Sequence, residues 1–348
     1  MPRFRHNLLT AAAITAVVLL AALGSAADAV ATTAPRASFL AVAPPTGTLD
    51  AAGRRRLAGI HWRRYRAAAA APTIRVSPAY ANPGAIAARW SSFFGSLLHG
   101  SELGVLDAYI APIEEVRTIC GSSDVLGCYG ANDLVTPDEG AEGVAATSIA
   151  THEYGHHVAY NRVNPPWVAV DAGPKRWATY ERVCPRVAAG TAFPGAEDGD
   201  YSLNPGEGWA ETYRVLNETA AGLPPTWPII DPSFRPDAGA LEAARQDVLD
   251  PWTAPAVTTK RVAFAGGART WTLRLATPLD GSLHVQVQPG SDAVTLLAAD
   301  TLAVLSRGAW SSSGGKTFDY AVCGQRSLVL RVTRHSPARR FTLRMTIP

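Results

Sequence analysis

The sequence predicts an α+β domain followed by a small all-β sandwich domain, on three observations. Residues 73–235 mix apolar residues at helical spacing with short extended runs. From residue 260 to 348 the pattern becomes alternation: "TWTLRLA", "SLHVQVQ", "VTLLAA", "SLVLRVT" and "FTLRMTI" are separated by Gly, Pro, Ser and Asp turns. A chain of 348 residues with 47% hydrophobic and 18% charged residues has room for two modest domains, or one large one. No internal repeat is visible.

The first 29 residues read as a signal peptide. "MPRFRHN" is a basic start, Leu8 to Leu23 is apolar, and "GSAADAVA" offers small-residue cleavage sites after Ala27 or Ala29. The apolar run is shorter than the roughly 20 residues of a spanning helix. Export with cleavage is therefore expected over a retained anchor, with the mature chain outside the cell or in its envelope and no stable membrane insertion. Net charge is +3 with no basic stripe, which argues against nucleic acid as a partner.

An oxidising compartment makes Cys120, Cys128, Cys184 and Cys323 disulfide candidates. Cys120 and Cys128 flank the turn-forming "GSSDVLG", and Cys184 would then pair with Cys323 by elimination. One bridge with two buried thiols is the other arrangement. Residues 30–72, rich in Ala, Pro, Thr and Arg with "RRR" at 54–56, predict a disordered linker or removable pro-segment.

Within the α+β region, "PGAIAARWSSFFGSLLHG" (83–100) sets Ile86, Trp90, Phe93, Phe94 and Leu97 on one side of a helix. Residues 103–120 contain strand-like alternation, and 128–137 read as a further extended piece. A helix follows in which Ile149, His152, Glu153, His156 and Tyr160 share a face. "NPGEGWAETYRVLNETAAG" (204–222) opens on Asn-Pro and closes on Gly222, as a helix does. Residues 164–184, between these helices, either shape a cleft or form a structural loop. Residues 236–259 read as a Pro-rich connector around one short helical stretch.

The chemistry concentrates in "ATHEYGHHVAYNR" (150–162). On a helix, His152 and His156 project from one side about 6 Å apart and can direct two imidazoles at one metal ion. Glu153 sits about 100° further round, able to reach water beside the metal without ligating it. Two imidazoles and a carboxylate suit zinc, one ion per chain. Glu207 and Glu211, one turn apart on an apolar helix, need a buried partner. We assign Glu207 as third ligand and Glu211 as the carboxylate that orients His152 through its other ring nitrogen, the reverse assignment being the alternative. His157 points away from His156 and reads as a packing or supporting residue. Ala159 and Arg162 stand where the metzincin motif needs Gly and His, which excludes that class. His61, His99, His284 and His335 lack partners at ligand spacing, and no calcium loop is visible.

"HEYGH" followed by "EGWAETYR" resembles the gluzincin metallopeptidases, and the later helix looks like that of the anthrax-lethal-factor type. The resemblance spans roughly residues 85–222. It implies a zincin-like catalytic domain with Glu207 as the third zinc ligand, and a tyrosine upstream of it, matched here by Tyr201, that stabilises the oxyanion. The C-terminal strands resemble the sandwich domains attached to secreted bacterial peptidases. The parts together predict a secreted zinc metalloendopeptidase acting on a peptide or protein substrate, with a zinc-activated water and Glu153 as general base. The alternatives are an exported binding protein with a structural zinc or none, and an amidase acting on cell-wall peptide.

Overall fold

Six short strands form the sheet on which the first region is built. The computed structural model describes residues 47–197, 199–224, 230–289, 292–312 and 314–348, so the signal-peptide segment, residues 1–29, lies outside the described residues. The chain enters through β1 (Gly47–Thr48), α1 (Ala51–Gly59), β2 (Arg63–Tyr65), β3 (Thr73–Val76) and α2 (Pro83–Ser96). It continues with β4 (Asp107–Ala111), α3 (Ile113–Cys120), β5 (Cys128–Gly130) and β6 (Asp133–Pro137). The strand order is β1-β5-β6-β4-β3-β2. β3, β4 and β6 run parallel; β2 and β5 are antiparallel to β3 and β6, and β1 lies parallel to β5. Ile74, Val76, Ala108, Ile110 and Leu134 are buried, the near-continuous apolar pattern of strands covered on both faces.

Residues 47–72 depart from the expected linker, because Gly47–Thr48, α1 and β2 belong to this region. Asp50 caps α1 by accepting from the Gly53 N–H, and Leu49 and Leu57 are buried. The arginine-rich composition hides this helix. Its two apolar anchors suffice, while Arg56 donates to the carbonyl of Ile119 through Nε and Nη2. The strand-like alternation within 103–120 is β4, and most of the rest of that stretch is helical. A 3-10 turn (Ser101–Val105) precedes β4, and α3 follows. Pro112 sets its start, Glu114 and Glu115 favour its first turn, and Gly121 closes it in the left-handed conformation at φ +82°.

The helical layer consists of α4 (Ala146–Tyr160), α5 (Ala169–Ala172), α6 (Lys175–Tyr180), α7 (Val183–Ala188), α8 (Pro205–Ala220) and α9 (Ala238–Leu249). Trp90, Phe94, Tyr154, Trp177, Trp209 and Tyr213 meet in one core. The expected connector, 236–259, is mostly α9, which buries Ala244 and Val248 in that core. Asp237 caps it by accepting from the Ala240 N–H. The short helical stretch read within the connector is therefore borne out, and its packing into the core is what the reading as a connector left out.

Arg162, just past α4, ties three segments together. Its guanidinium pairs with Glu102 at 2.8 Å and donates to the carbonyls of Asp247 (2.8 Å) and Val248 (3.0 Å) at the end of α9. The Glu102 side chain is fully buried. Burial pushes the Glu102 pKa up, but the Arg162 charge and the Gly100 N–H outweigh it and hold the group below its ordinary value. Arg162→Met is expected to lower unfolding free energy by about 3–5 kcal/mol in urea titrations, because a buried charge and two carbonyls lose their partner.

The C-terminal region is all β. One antiparallel sheet contains β8 (Thr270–Ala276), β10 (Ala293–Ala298), β11 (Val304–Arg307) and β14 (Ser327–Thr333), in the order β11-β10-β14-β8. The other contains β7 (Ala256–Ala263), β9 (Gly281–Gln288), β12 (Ala309–Trp310), β13 (Lys316–Val322) and β15 (Arg340–Ile347), in the order β12-β13-β9-β15-β7. Leu283, Val285 and Leu343 from one sheet and Leu296, Leu328 and Leu330 from the other share a single core. This is the sandwich that the alternation predicts.

Both expected disulfides are present: Cys120–Cys128, and Cys184–Cys323, which joins α7 to the β region across 139 residues. A further link is the Asp280 N–H donating to Thr179 Oγ1 at 3.1 Å. Among the described residues, no helix is long and apolar enough to cross a membrane.

Candidate metal centre

α4 is buried around its whole circumference from Ile149 to Ala159, so the single face expected for it is an understatement. Of the five residues placed on that face by sequence spacing, Tyr160 is exposed, at 47%, and the other four are buried. α8 crosses α4 closely. A Cβ on Gly155 would lie 2.8 Å from Ala210 Cα, so the crossing requires glycine there. The Trp209 indole donates to the Gly155 carbonyl at 2.7 Å. At the start of α8, Asn204 accepts from the Gly206 N–H, and Pro205 occupies the first turn.

This crossing brings His152, His156 and Glu207 together as a buried group that can hold a metal ion. Glu207 Oε2 lies 3.1 Å from His152 Nε2 and 3.4 Å from His156 Nε2, and the two Nε2 atoms are 3.2 Å apart. Ligand atoms at 2.0–2.1 Å from a tetrahedral ion stand roughly 3.3 Å from one another. The triangle therefore has the size of one face of such a coordination sphere. Glu211 Oε1 accepts from His152 Nδ1 at 2.8 Å, which leaves the lone pair of Nε2 facing Glu207 and His156. Arg214 holds Glu211 in turn through two hydrogen bonds, at 2.9 and 2.7 Å.

The electrostatics favour positive charge at this point. Burial works against a charge on His152, but the hydrogen bonds to Glu207 and Glu211 outweigh it and raise its pKa to about 10. Burial also opposes ionised Glu207 and Glu211. The histidines nevertheless hold Glu207 far below the ordinary carboxylate range, and Arg214 with His152 holds Glu211 at about 2. A proton and a metal cation compete for the same lone pairs here.

Glu153 is the contrast. Both its carboxylate oxygens are buried and have no hydrogen-bond partner among the described residues. Burial drives its pKa well above the ordinary value, opposed by His152 and assisted by Glu207 and Glu197. Gly127 covers it: a Cβ there would sit 2.8 Å from Glu153 Oε1. The Cys120–Cys128 bridge anchors the segment that carries Gly127. Tyr201, in a 3-10 turn before α8, donates its hydroxyl to Glu207 Oε2 at 2.8 Å.

His157 stands outside the triangle. Its Nε2 meets the Glu102 carbonyl at 2.9 Å and its Nδ1 meets the Tyr129 hydroxyl at 3.2 Å. Burial lowers its pKa to about 4, against an ordinary 6.5. The folded-state pKa is the lower one, so the unfolded chain takes up the proton first as pH falls. The stabilisation is complete above pH 6.5 and is lost toward pH 4. The stability difference between wild type and His157→Gln, followed by denaturant titration, is expected to be flat above pH 6.5. It should shrink by about 3 kcal/mol on acidification to pH 4.

A cleft of about 260 Å³ opens beside the triangle, lined in part by His156, Glu207, Tyr129, Asp171, Glu197 and Thr48. Burial raises the pKa of both Asp171 and Glu197, and Glu207 adds to the effect on Glu197. Sequence reading did not single out these two acids, which share no helical period with the ligands. Asp171 lies in the 164–184 stretch, whose α5 does contribute to the cleft wall. His61, His99, His284 and His335 do not belong to the metal-holding group.

No protein-family model matches the chain, and no curated protein matches it. Among solved structures, the chain is similar to the crystal structure of the pre-peptidase C-terminal domain of a collagenase from Bacillus anthracis. Identity is 15%, the match covers 25% of this chain and 85% of that one, and the TM-score is 0.20.

Proposed function

We propose that the protein is a secreted zinc metallopeptidase of the gluzincin kind, built on a zincin-like domain. The observation that carries this reading is the pairing of the His152–His156–Glu207 triangle with a buried Glu153 beside it that has no hydrogen-bond partner among the described residues. A purely structural metal site has no use for that carboxylate. Two imidazoles and one carboxylate suit zinc and leave a coordination position open. When bound there, zinc supplies Lewis acidity, which acidifies water and polarises a carbonyl.

The chain's own residues do the rest. Glu153 takes a proton from water at its carboxylate and passes it to the departing amine, a transfer suited to a carboxylate whose affinity for a proton is raised by burial. Glu211 keeps the His152 proton on Nδ1. Tyr201 donates its phenolic O–H to Glu207 Oε2, and turning that hydroxyl toward the substrate would set it against the negative charge that develops on the substrate oxygen. The two disulfides and the expected signal peptide agree with an extracellular site of action.

Metal analysis of the purified chain, combined with casein digestion, tests the reading. About one zinc per chain is expected. Chelation should abolish digestion, and added zinc should restore it. A chain with less than about 0.5 zinc after gentle purification would count against the ligand set, given the tight binding of such sites.

A further inference from the structure

The chain itself already occupies the sheet edge beside the cleft. Tyr129 and Gly130 of β5 line the cleft together with His156 and Glu207. An outer strand offers a row of N–H and C=O groups to any extended peptide. Here β1 meets that row: Gly47 pairs with Cys128, Thr48 pairs with Tyr129, and the Leu49 N–H donates to the Tyr129 carbonyl at 2.9 Å. Thr48 also crosses to the opposite wall, where its Oγ1 donates to Glu197 Oε1 at 2.8 Å. The fit is close, since a Cβ on Gly130 would lie 2.5 Å from the Leu49 carbonyl oxygen.

Anchoring changes abruptly within two residues. Leu49 is 1% exposed, Asp50 caps α1, and Arg54 Nη1 donates to the Leu49 carbonyl at 2.8 Å. Thr48 is exposed and is held by a two-residue pairing and one side-chain hydrogen bond. From Leu49 onward the chain is anchored by a buried side chain and a capped helix, whereas Gly47–Thr48 is held only by its pairing with Cys128 and Tyr129 and by the hydrogen bond to Glu197 among the described residues.

We propose that β1 is a built-in occupant of the peptide-binding edge. Gly47–Thr48 stands where the main chain of an extended peptide would lie, and its displacement opens the cleft. The ligand class, an extended peptide recognised through its backbone, rests on the peptidase reading above.

Thr48→Glu sets a negative charge against Glu197 and should expel β1 while leaving Leu49 and α1 in place. Binding of fluorescein-labelled decapeptides of randomised sequence is measured by anisotropy on full chains that also carry Glu153→Gln. Thr48→Glu is expected to tighten it about tenfold, and Thr48→Ala, which adds no charge, about threefold. With Glu153 intact, KM for casein should fall by similar factors while kcat and metal content stay constant. Binding that is unchanged or weaker in the folded variants overturns the proposal. If Thr48→Glu fails to fold, Thr48→Ala decides by the same criterion. Tighter peptide binding with no casein hydrolysis by any chain would uphold the occupied edge and sink the peptidase reading instead.

Discussion

Glu153→Gln is expected to lower kcat/KM on casein by about 10²–10⁴-fold, the usual worth of a general base, while zinc content per chain stays at its wild-type level. The two outcomes separate because Glu153 lies on the ligand helix yet outside the triangle of His152, His156 and Glu207. Its oxygens make no hydrogen bond among the described residues, so an amide of the same shape breaks none of those contacts. The melting temperature should not fall, since a buried, unpartnered carboxylate is replaced by a group that cannot ionise. A variant that retains zinc and still digests casein at the wild-type rate would remove Glu153 from the mechanism. A variant that loses its zinc would show that Glu153 is a ligand.

Glu207→Ala should reduce zinc affinity by more than the roughly 10–100-fold typical of losing a supporting carboxylate, and should take hydrolysis with it. Its Oε2 is the atom that approaches both Nε2 nitrogens, at 3.1 and 3.4 Å. Glu211→Ala makes a different prediction. Glu211 touches His152 on the Nδ1 side and shares Arg214 with Glu218, so its loss should weaken zinc binding only within the 10–100-fold range. That variant should also lose several kcal/mol of stability, because a buried guanidinium is left with one acid. Competition with a chromogenic zinc chelator, run beside urea titrations, reads both quantities. Equal affinities in the two variants would contradict the assigned roles.

Much of the candidate site is legible along the chain because helical periodicity is local. His152 and His156 lie one turn apart on any helix, and Glu207 and Glu211 repeat that spacing. Acids on an apolar helix require a partner, which is enough to link the two segments before any contact is seen. Alternation likewise reports the C-terminal strands, because a strand in a sandwich buries every second residue. Four cysteines and one short turn suggest the disulfide pairing, and the structure decides it against one bridge with two thiols.

What the sequence alone determined, then, is the chemistry carried by local spacing: the two imidazoles, Glu153 beside them, a second acidic helix, and the β region. The tertiary structure decided the rest. It set Glu207 rather than Glu211 against the Nε2 atoms, because the close crossing at Gly155 and Ala210 fixes which turn of α8 faces α4. It supplied the partners of His157, which helical geometry already points away from His156: the Glu102 carbonyl and the Tyr129 hydroxyl. It also drew the arginine-rich residues after Gly47 into the sheet, and brought Asp171 and Glu197 to the cleft. Those placements depend on contacts between residues far apart in the chain, and such contacts leave no periodic trace in it.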